Sequence, residues 1–408
     1  MSAPVQPGAP IFADPALDEA FKRDGYVVIE GFCDADGVER LVEAYEELGP
    51  APGDLGEYCH FDFQSADQAY KRSTDAVIRQ VLVGPMERSF CSYRPYYGNY
   101  VMKWPSPTSW FGVHQDSCFV DESTAVSASI WVATTEVDEH NGAVWFFPGS
   151  HRMRSTVRGS NQATYSFQDV GAAIEARCGR IVRLAPGDAV VFDHRVVHWS
   201  YANTSDAPRL AAVLGVVPER ATLLHHHASD DGATVETFAI DDEFFIVNDP
   251  FGSLLDGLRG YPSLGRRDLV VEPVTDDELA RWLLEHPVEA DAELAAELRA
   301  VAARAARTAT PSMATENRGQ GAAGPSLAAH AAAEADADVE RPIDADPESA
   351  DPQADAGAAA GVPAIEAIGP VGEVGPVSPS SFTARARRRV ARATSRIRSG
   401  VHSFGRRA

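Results

Sequence analysis

Val113-His114-Gln115-Asp116, with the distant Val197-His198-Trp199-Ser200, is the stretch on which the reading of this 408-residue chain turns. If residues 113–116 form a β-strand, its period of two brings the imidazole of His114 and the carboxylate of Asp116 to one face and turns Gln115 away. A second histidine, His198, arriving from a neighbouring strand would complete two nitrogens and one oxygen on one side of an octahedral metal, with three positions left for other ligands. A His-x-Asp alone is common, so its meaning depends on what surrounds it.

Working outward, the composition changes near residue 290, from a globular mixture of aromatics, aliphatics and turn residues to one of Ala, Pro, Gly and charge. The first part, about 280 residues, is ample for one core and can be filled by a single all-β barrel or sandwich. A net charge of −23 argues against a folded domain that grips nucleic acid through phosphates, and says little about fold. Five cysteines (Cys33, Cys59, Cys91, Cys118, Cys178) are odd in number and contain no Cys-x-x-Cys, which suggests neither a disulfide framework nor a zinc site but reduced thiols in the cytoplasm. Met1 to Pro15 does not read as a signal peptide, and no apolar run has the length of a membrane span; Leu210 to Val217 has that of a buried strand.

Along the chain, Asp14 caps an expected helix from Pro15 to Arg23 that stops at Asp24-Gly25, followed by a strand Tyr26–Glu30 and a helix opened by Asp34 or Asp36. Residues 75–86 have helical periodicity, and the stretch from Tyr93 to Trp110 is rich in aromatics. Short strands are expected over 125–133, 143–147, 180–185, 188–192, 196–201 and 209–217, separated by turns such as Asn141-Gly142 and Pro186-Gly187. Residues 152–180 read as a polar insertion of uncertain order. Many short strands at this spacing indicate a mainly β sandwich or barrel with peripheral helices.

Three further side chains gather round the metal hypothesis. Ser200 lies two residues after His198 and would share its face. Arg209, eleven after His198, opens an apolar strand where an inward guanidinium could hold a carboxylate by two parallel hydrogen bonds. Lys103 is a lesser candidate for the same anion.

The sequence here resembles the phytanoyl-CoA dioxygenase family of Fe(II)/2-oxoglutarate oxygenases. The resemblance is carried by Phe21-x-x-Asp24-Gly25-Tyr26, His114-Gln115-Asp116, Trp131, Asn141-Gly142, Phe147-Pro148-Gly149-Ser150-His151, Pro186-Gly187-Asp188, His198, Ser200 and Arg209, over roughly residues 15–250. It implies a double-stranded β-helix (a cupin-like jelly roll) with iron held by His114, Asp116 and His198. It also implies 2-oxoglutarate chelating the metal, with its far carboxylate on Arg209 and Ser200, and Trp131 near this co-substrate. With O2, oxidative decarboxylation to succinate and CO2 would drive hydroxylation of a C–H bond in a small organic substrate. Related halogenases replace the carboxylate ligand by a small residue to admit a halide, so Asp116 points to hydroxylation, or to desaturation or cyclisation by the same oxidant. The alternatives are a catalytically silent jelly-roll binding protein of the same ancestry, and a peripheral adaptor acting through its tail.

The organisation expected is a flexible N-terminus (1–14), the oxygenase-like domain (15–290), a helix (291–307), a disordered Ala/Pro/acidic linker (308–380) and a basic tail (381–408). In the tail Val390, Ile397, Val401 and Phe404 would gather on one side of a helix among arginines, a pattern suited to an anionic membrane surface or an acidic partner. Of the other histidines, His151 is expected to serve its turn and His194 to pack or shape the pocket. His225-His226-His227 cannot all converge, because neighbours on a strand alternate faces. Cys118 would continue the face of His114 and Asp116 if that strand extends, and otherwise packs.

Overall fold

The computed structural model describes residues 10–308 except 50–58, 155, 161–164, 251–253, 255–257 and 259. The expected basic tail, and the linker beyond Thr308, lie outside the described residues. In chain order the elements are α1 (Pro15–Asp24), β1 (Tyr26–Ile29), α2 (Ala35–Leu48), β2 (Cys59–Phe61), α3 (Gln68–Ser89), β3 (Tyr93–Lys103), β4 (Phe111–His114), β5 (Ala128–Ala133) and β6 (Val144–Phe146). They continue with α4 (Gly171–Arg177), β7 (Arg180–Ile181), β8 (Ala189–Asp193), β9 (His198–Ser200), β10 (Arg209–Pro218), β11 (Leu223–Ala228), β12 (Thr234–Ile240), α5 (Glu243–Val247), β13 (Ser263–Asp268), α6 (Asp276–Glu285) and α7 (Ala292–Thr308).

Strands β3 to β10 divide between two antiparallel sheets. The larger has the order β1-β8-β5-β10-β3-β2 and the smaller β4-β9-β6-β7. Following the chain, β3, β5, β8 and β10 fall in the first sheet and β4, β6, β7 and β9 in the second, which is the winding of a jelly roll, or double-stranded β-helix. The core confirms the sandwich: Trp131, Val190, Phe192, Ala211 and Val213 of the larger sheet pack with Phe146 of the smaller in one buried cluster. Strand β10, between β3 and β5, is buried at all ten positions, so after Arg209 its sequence is a continuous apolar run rather than an alternation.

The entrance follows local rules. Asp14 accepts the N–H of Ala16 at the start of α1, Pro15 occupies the first helical position, and Gly25, at φ +83°, ends the helix by donating to the carbonyl of Phe21. A Cβ on Gly25 would also lie 2.5 Å from Nδ1 of His151, so the turn needs glycine twice over. Ile11 and Phe12 depart from the expected flexible arm. Both are buried, their N–H groups donate to Asp18, and Phe12 packs on Phe90.

Helix α3 starts seven residues before the expected position, at a cap made by Asp67. Strands β11, β12 and β13 form a third sheet that the sequence reading does not include. The segment read as an insertion, 152–180, contains α4, and Ile174 of α4 packs with Leu279 of α6 and Ala295 of α7 in a second core beside Trp145 and Trp199. No helix among the described residues is long and apolar enough to cross a membrane.

Candidate metal centre

His114 ends β4, His198 begins β9, and the two are register partners across the ladder, their ring centroids 4.2 Å apart. Each ring is held by the same local device. Nδ1 of His114 faces the carbonyl of Gly112 at 2.7 Å, and Nδ1 of His198 faces that of Val196 at 3.0 Å, each two residues back. A carbonyl can only accept, so Nδ1 carries the proton and Nε2 keeps its lone pair. The Nε2 atoms lie 3.9 and 3.7 Å from Oδ1 of Asp116. All three potential donor atoms fall within 4.8 Å of one another, the sole such cluster of three found among the described residues.

Asp116 reaches this position by a route other than the expected one. The strand stops at His114, and residues 115–119 are irregular. Backbone contacts replace the pleat: Asp116 donates its N–H to the carbonyl of His194 at 3.0 Å, and its own carbonyl accepts from Nε of Arg158 at 2.5 Å. The Arg158 guanidinium is in turn gripped by Glu122 at 2.5 and 3.0 Å, both side chains being buried. Gln115 donates to the carbonyl of Arg195. His194 is enclosed by Ser127 and Ser129, at 2.8 and 3.0 Å, and so packs and supports the loop. Arg158 was not legible in the sequence, because it lies in a segment without periodicity and its contact is to a main-chain atom.

The electrostatics suit a divalent cation. Burial, then the neighbouring His114, pushes His198 down to about 4, so its ring is neutral near pH 7. For Asp116 burial opposes ionisation, but His198, His194, His114 and Arg158 outweigh it and hold the carboxyl below the ordinary range. A neutral imidazole at His198 and a carboxylate at Asp116 are donor forms that a hard-to-borderline metal requires.

Beside the cluster lies a pair of buried cations. Lys103 of β3 and Arg209 of β10 are direct cross-strand partners, 0% and 3% exposed, and neither has an ion-pair partner among the described residues. Nζ of Lys103 donates to Oγ of Ser200 at 2.7 Å and to the carbonyl of Tyr201 at 2.8 Å. Arg209 donates to the carbonyl of Gly142, its Cζ lies 5.0 Å from the Trp131 ring, and its buried Nε has no partner. Burial, then Arg209, drives Lys103 well below the usual lysine range, and burial lowers Arg209 to about 10. Two adjacent buried cations without a counter-ion are costly unless an anion joins them. The structure thus brings together Ser200, Arg209, Lys103 and, through its ring face, Trp131.

The remaining candidates stand apart from the cluster. His151 faces the carbonyl of Lys22 at the turn. His225 and His227 flank Ser160 at 3.2 and 3.1 Å, while His226 points to Thr237. Cys118 is not on an extension of β4; it is buried against the N–H of Arg158 and the carbonyl of Thr156.

Residues 21–211 match the family model "Phytanoyl-CoA dioxygenase (PhyH)", a span that contains Lys103, His114, Asp116, Trp131, His198, Ser200 and Arg209. That stretch belongs to the phytanoyl-CoA dioxygenase family. Among curated relatives, phytanoyl-CoA dioxygenase domain-containing protein 1 of Danio rerio is 33% identical over 27% of this chain and 40% of its own length. An ectoine dioxygenase of Sphingopyxis alaskensis is 26% identical over 50% of this chain and 76% of its own length. The match thus spans about two-fifths of the zebrafish relative. Of solved structures, the non-heme alpha ketoglutarate dependent carbocyclase SnoK aligns at a TM-score of 0.42 and 23% identity, over 53% of this chain and 90% of its own.

Proposed function

We propose that this phytanoyl-CoA dioxygenase family chain is an Fe(II)/2-oxoglutarate-dependent dioxygenase that hydroxylates a C–H bond of a small organic substrate, using O2 and releasing succinate and CO2. The observation that carries the reading is one juxtaposition: two imidazoles and a carboxylate converge within 4.8 Å, and Lys103, bonded to Ser200 two residues from His198, lies with Arg209 as an unneutralised buried cation pair. A dicarboxylate fits such a site, with one end for a metal and the other for the cations.

In this reading His114, Asp116 and His198 hold the iron, which supplies open coordination positions and the redox chemistry for activating O2. Arg209 presents its planar fork to the far carboxylate of 2-oxoglutarate, and Ser200 offers its hydroxyl. Trp131 fixes the guanidinium by its ring face, a contact worth about 2 kcal/mol when desolvated. Lys103 adds a second positive charge, and the arriving anion restores its affinity for a proton. Phe146 and Phe192, whose rings lie 5.9 and 5.0 Å from that of His198, keep water from its buried side. Asp116 leaves 26% of its side chain open and His114 37%, so the cluster faces outward on one side, where a substrate can approach.

The test is consumption of 2-oxoglutarate and stoichiometric formation of succinate in air by the iron-loaded protein, followed by NMR. Turnover in the wild type that disappears in Asp116→Ala supports the reading. Tight 2-oxoglutarate binding without succinate would instead identify a silent binding protein.

A further inference from the structure

A cavity of about 510 Å³ opens between the α1–β1 turn, the turn after β6, strand β7 and the link between α6 and α7, and it shares no residue with the metal cluster or the cation pair. Its charged lining is Arg23, Asp24, Arg152, Arg180, His286 and Glu289. Arg23 is gripped by Asp24 through two bonds, of 3.0 and 2.6 Å. Arg180 approaches Glu289 only to 3.7 Å, with the carboxylate side chain almost fully exposed. Arg152 has no ion pair among the described residues. Its guanidinium lies 5.5 Å from the Trp282 ring, which is stacked on His286 at a centroid distance of 3.9 Å and 16°. The stack orders Arg152 without neutralising it.

We propose that this cavity is a second ligand site that takes an oxyanion-bearing metabolite, with the oxyanion held by Arg152 and Arg180. Three guanidiniums face two carboxylates, one of which is fully engaged, so the lining is locally positive in a chain of net charge −23. A planar fork held by a ring and free of carboxylate is matched by phosphate or carboxylate oxygens in bidentate fashion. The volume falls in the range of small-molecule pockets and exceeds what a lone inorganic ion would fill, so the oxyanion is carried by an organic body. An occupant would press on the elements behind the metal cluster. Tyr26 of the lining stacks on Phe146, which contacts the His198 ring, and Ser150, two residues before Arg152, accepts the N–H of Val197.

The experiment is calorimetric titration of the full chain with pyrophosphate and, separately, citrate. The expected result is one saturable site for pyrophosphate that weakens at least tenfold in Arg152→Ala and in Arg180→Ala, tightens severalfold in Glu289→Gln and is unchanged in Arg209→Ala. Citrate binding with that same pattern would support the site with carboxylate as its oxyanion. No saturable binding of either probe at millimolar concentration would overturn the proposal. So would binding that is lost in Arg209→Ala but kept in Arg152→Ala, since the anion would then sit on the Lys103–Arg209 pair.

Discussion

Arg209 is almost fully buried, lies over an indole and leaves its Nε without a partner, a state that favours a bound carboxylate over the empty site. Arg209→Ala is expected to weaken 2-oxoglutarate binding on the order of 10²-fold, and Arg209→Lys to restore little of it because an ammonium cannot fork, as read by titration of the metal-loaded protein. Distance along the chain from His198 singled out Arg209 and Ser200 as candidates, with Lys103 a lesser one, and the ladder sets Lys103 directly opposite Arg209. A second residue-scale effect concerns folding. Burial raises the fully enclosed Asp62 to about 7, against about 4 in an unfolded chain. The native state therefore holds the proton more tightly, and the stability this gives is complete below about pH 4 and lost as pH rises through about 7. Asp62→Asn mimics the protonated form, so its Tm advantage over the wild type should widen between about pH 5 and about pH 8. Parallel Tm profiles would refute this assignment.

At the scale of elements, the sequence showed which residues meet but not how Asp116 gets there. The period-two argument requires a strand through residue 116, yet β4 ends at His114 and the carboxylate is delivered by a loop tied to His194 and Arg158. Main-chain acceptors carry no residue-type signature, and Arg158 lies in the stretch 152–180 read as an insertion while Glu122 is 36 residues earlier, which is why the clamp they form was hidden. Replacing the pair by Arg158→Met with Glu122→Met avoids stranding a buried charge, so folding should be nearly unaffected while Fe(II) affinity falls about 10- to 100-fold. Unchanged metal affinity would show that the clamp does not position Asp116. The α1–β1 turn was read correctly from Asp24-Gly25, and Gly25→Ala, which needs a positive φ and meets His151, should cost about 2 kcal/mol, seen as a lowered Tm. Helix α3 extends beyond its apolar periodicity because Lys71 and Thr74, buried in its first turns, disguise its inward face.

For the whole molecule, strand length and turn residues pointed only to a β sandwich or barrel, and the jelly-roll winding came from the family resemblance carried by the ordered motifs. The sheet of β11, β12 and β13 was not legible, since β13 is exposed at all six positions and has no apolar alternation to read. If catalysis resides in the described part of the chain, deletion of residues 309–408 should leave 2-oxoglutarate consumption intact while Asp116→Ala abolishes it; the reverse would make the tail the functional element. The claim beneath all of this is that His114, Asp116 and His198 bind iron together with 2-oxoglutarate. It is tested most directly by anaerobic titration of metal-free protein with Fe(II) and 2-oxoglutarate, following the weak visible charge-transfer band of the chelated metal. The expected result is a saturable band that is absent in His198→Ala and needs far more 2-oxoglutarate in Arg209→Ala. No band at saturating Fe(II) and 2-oxoglutarate would contradict the assignment.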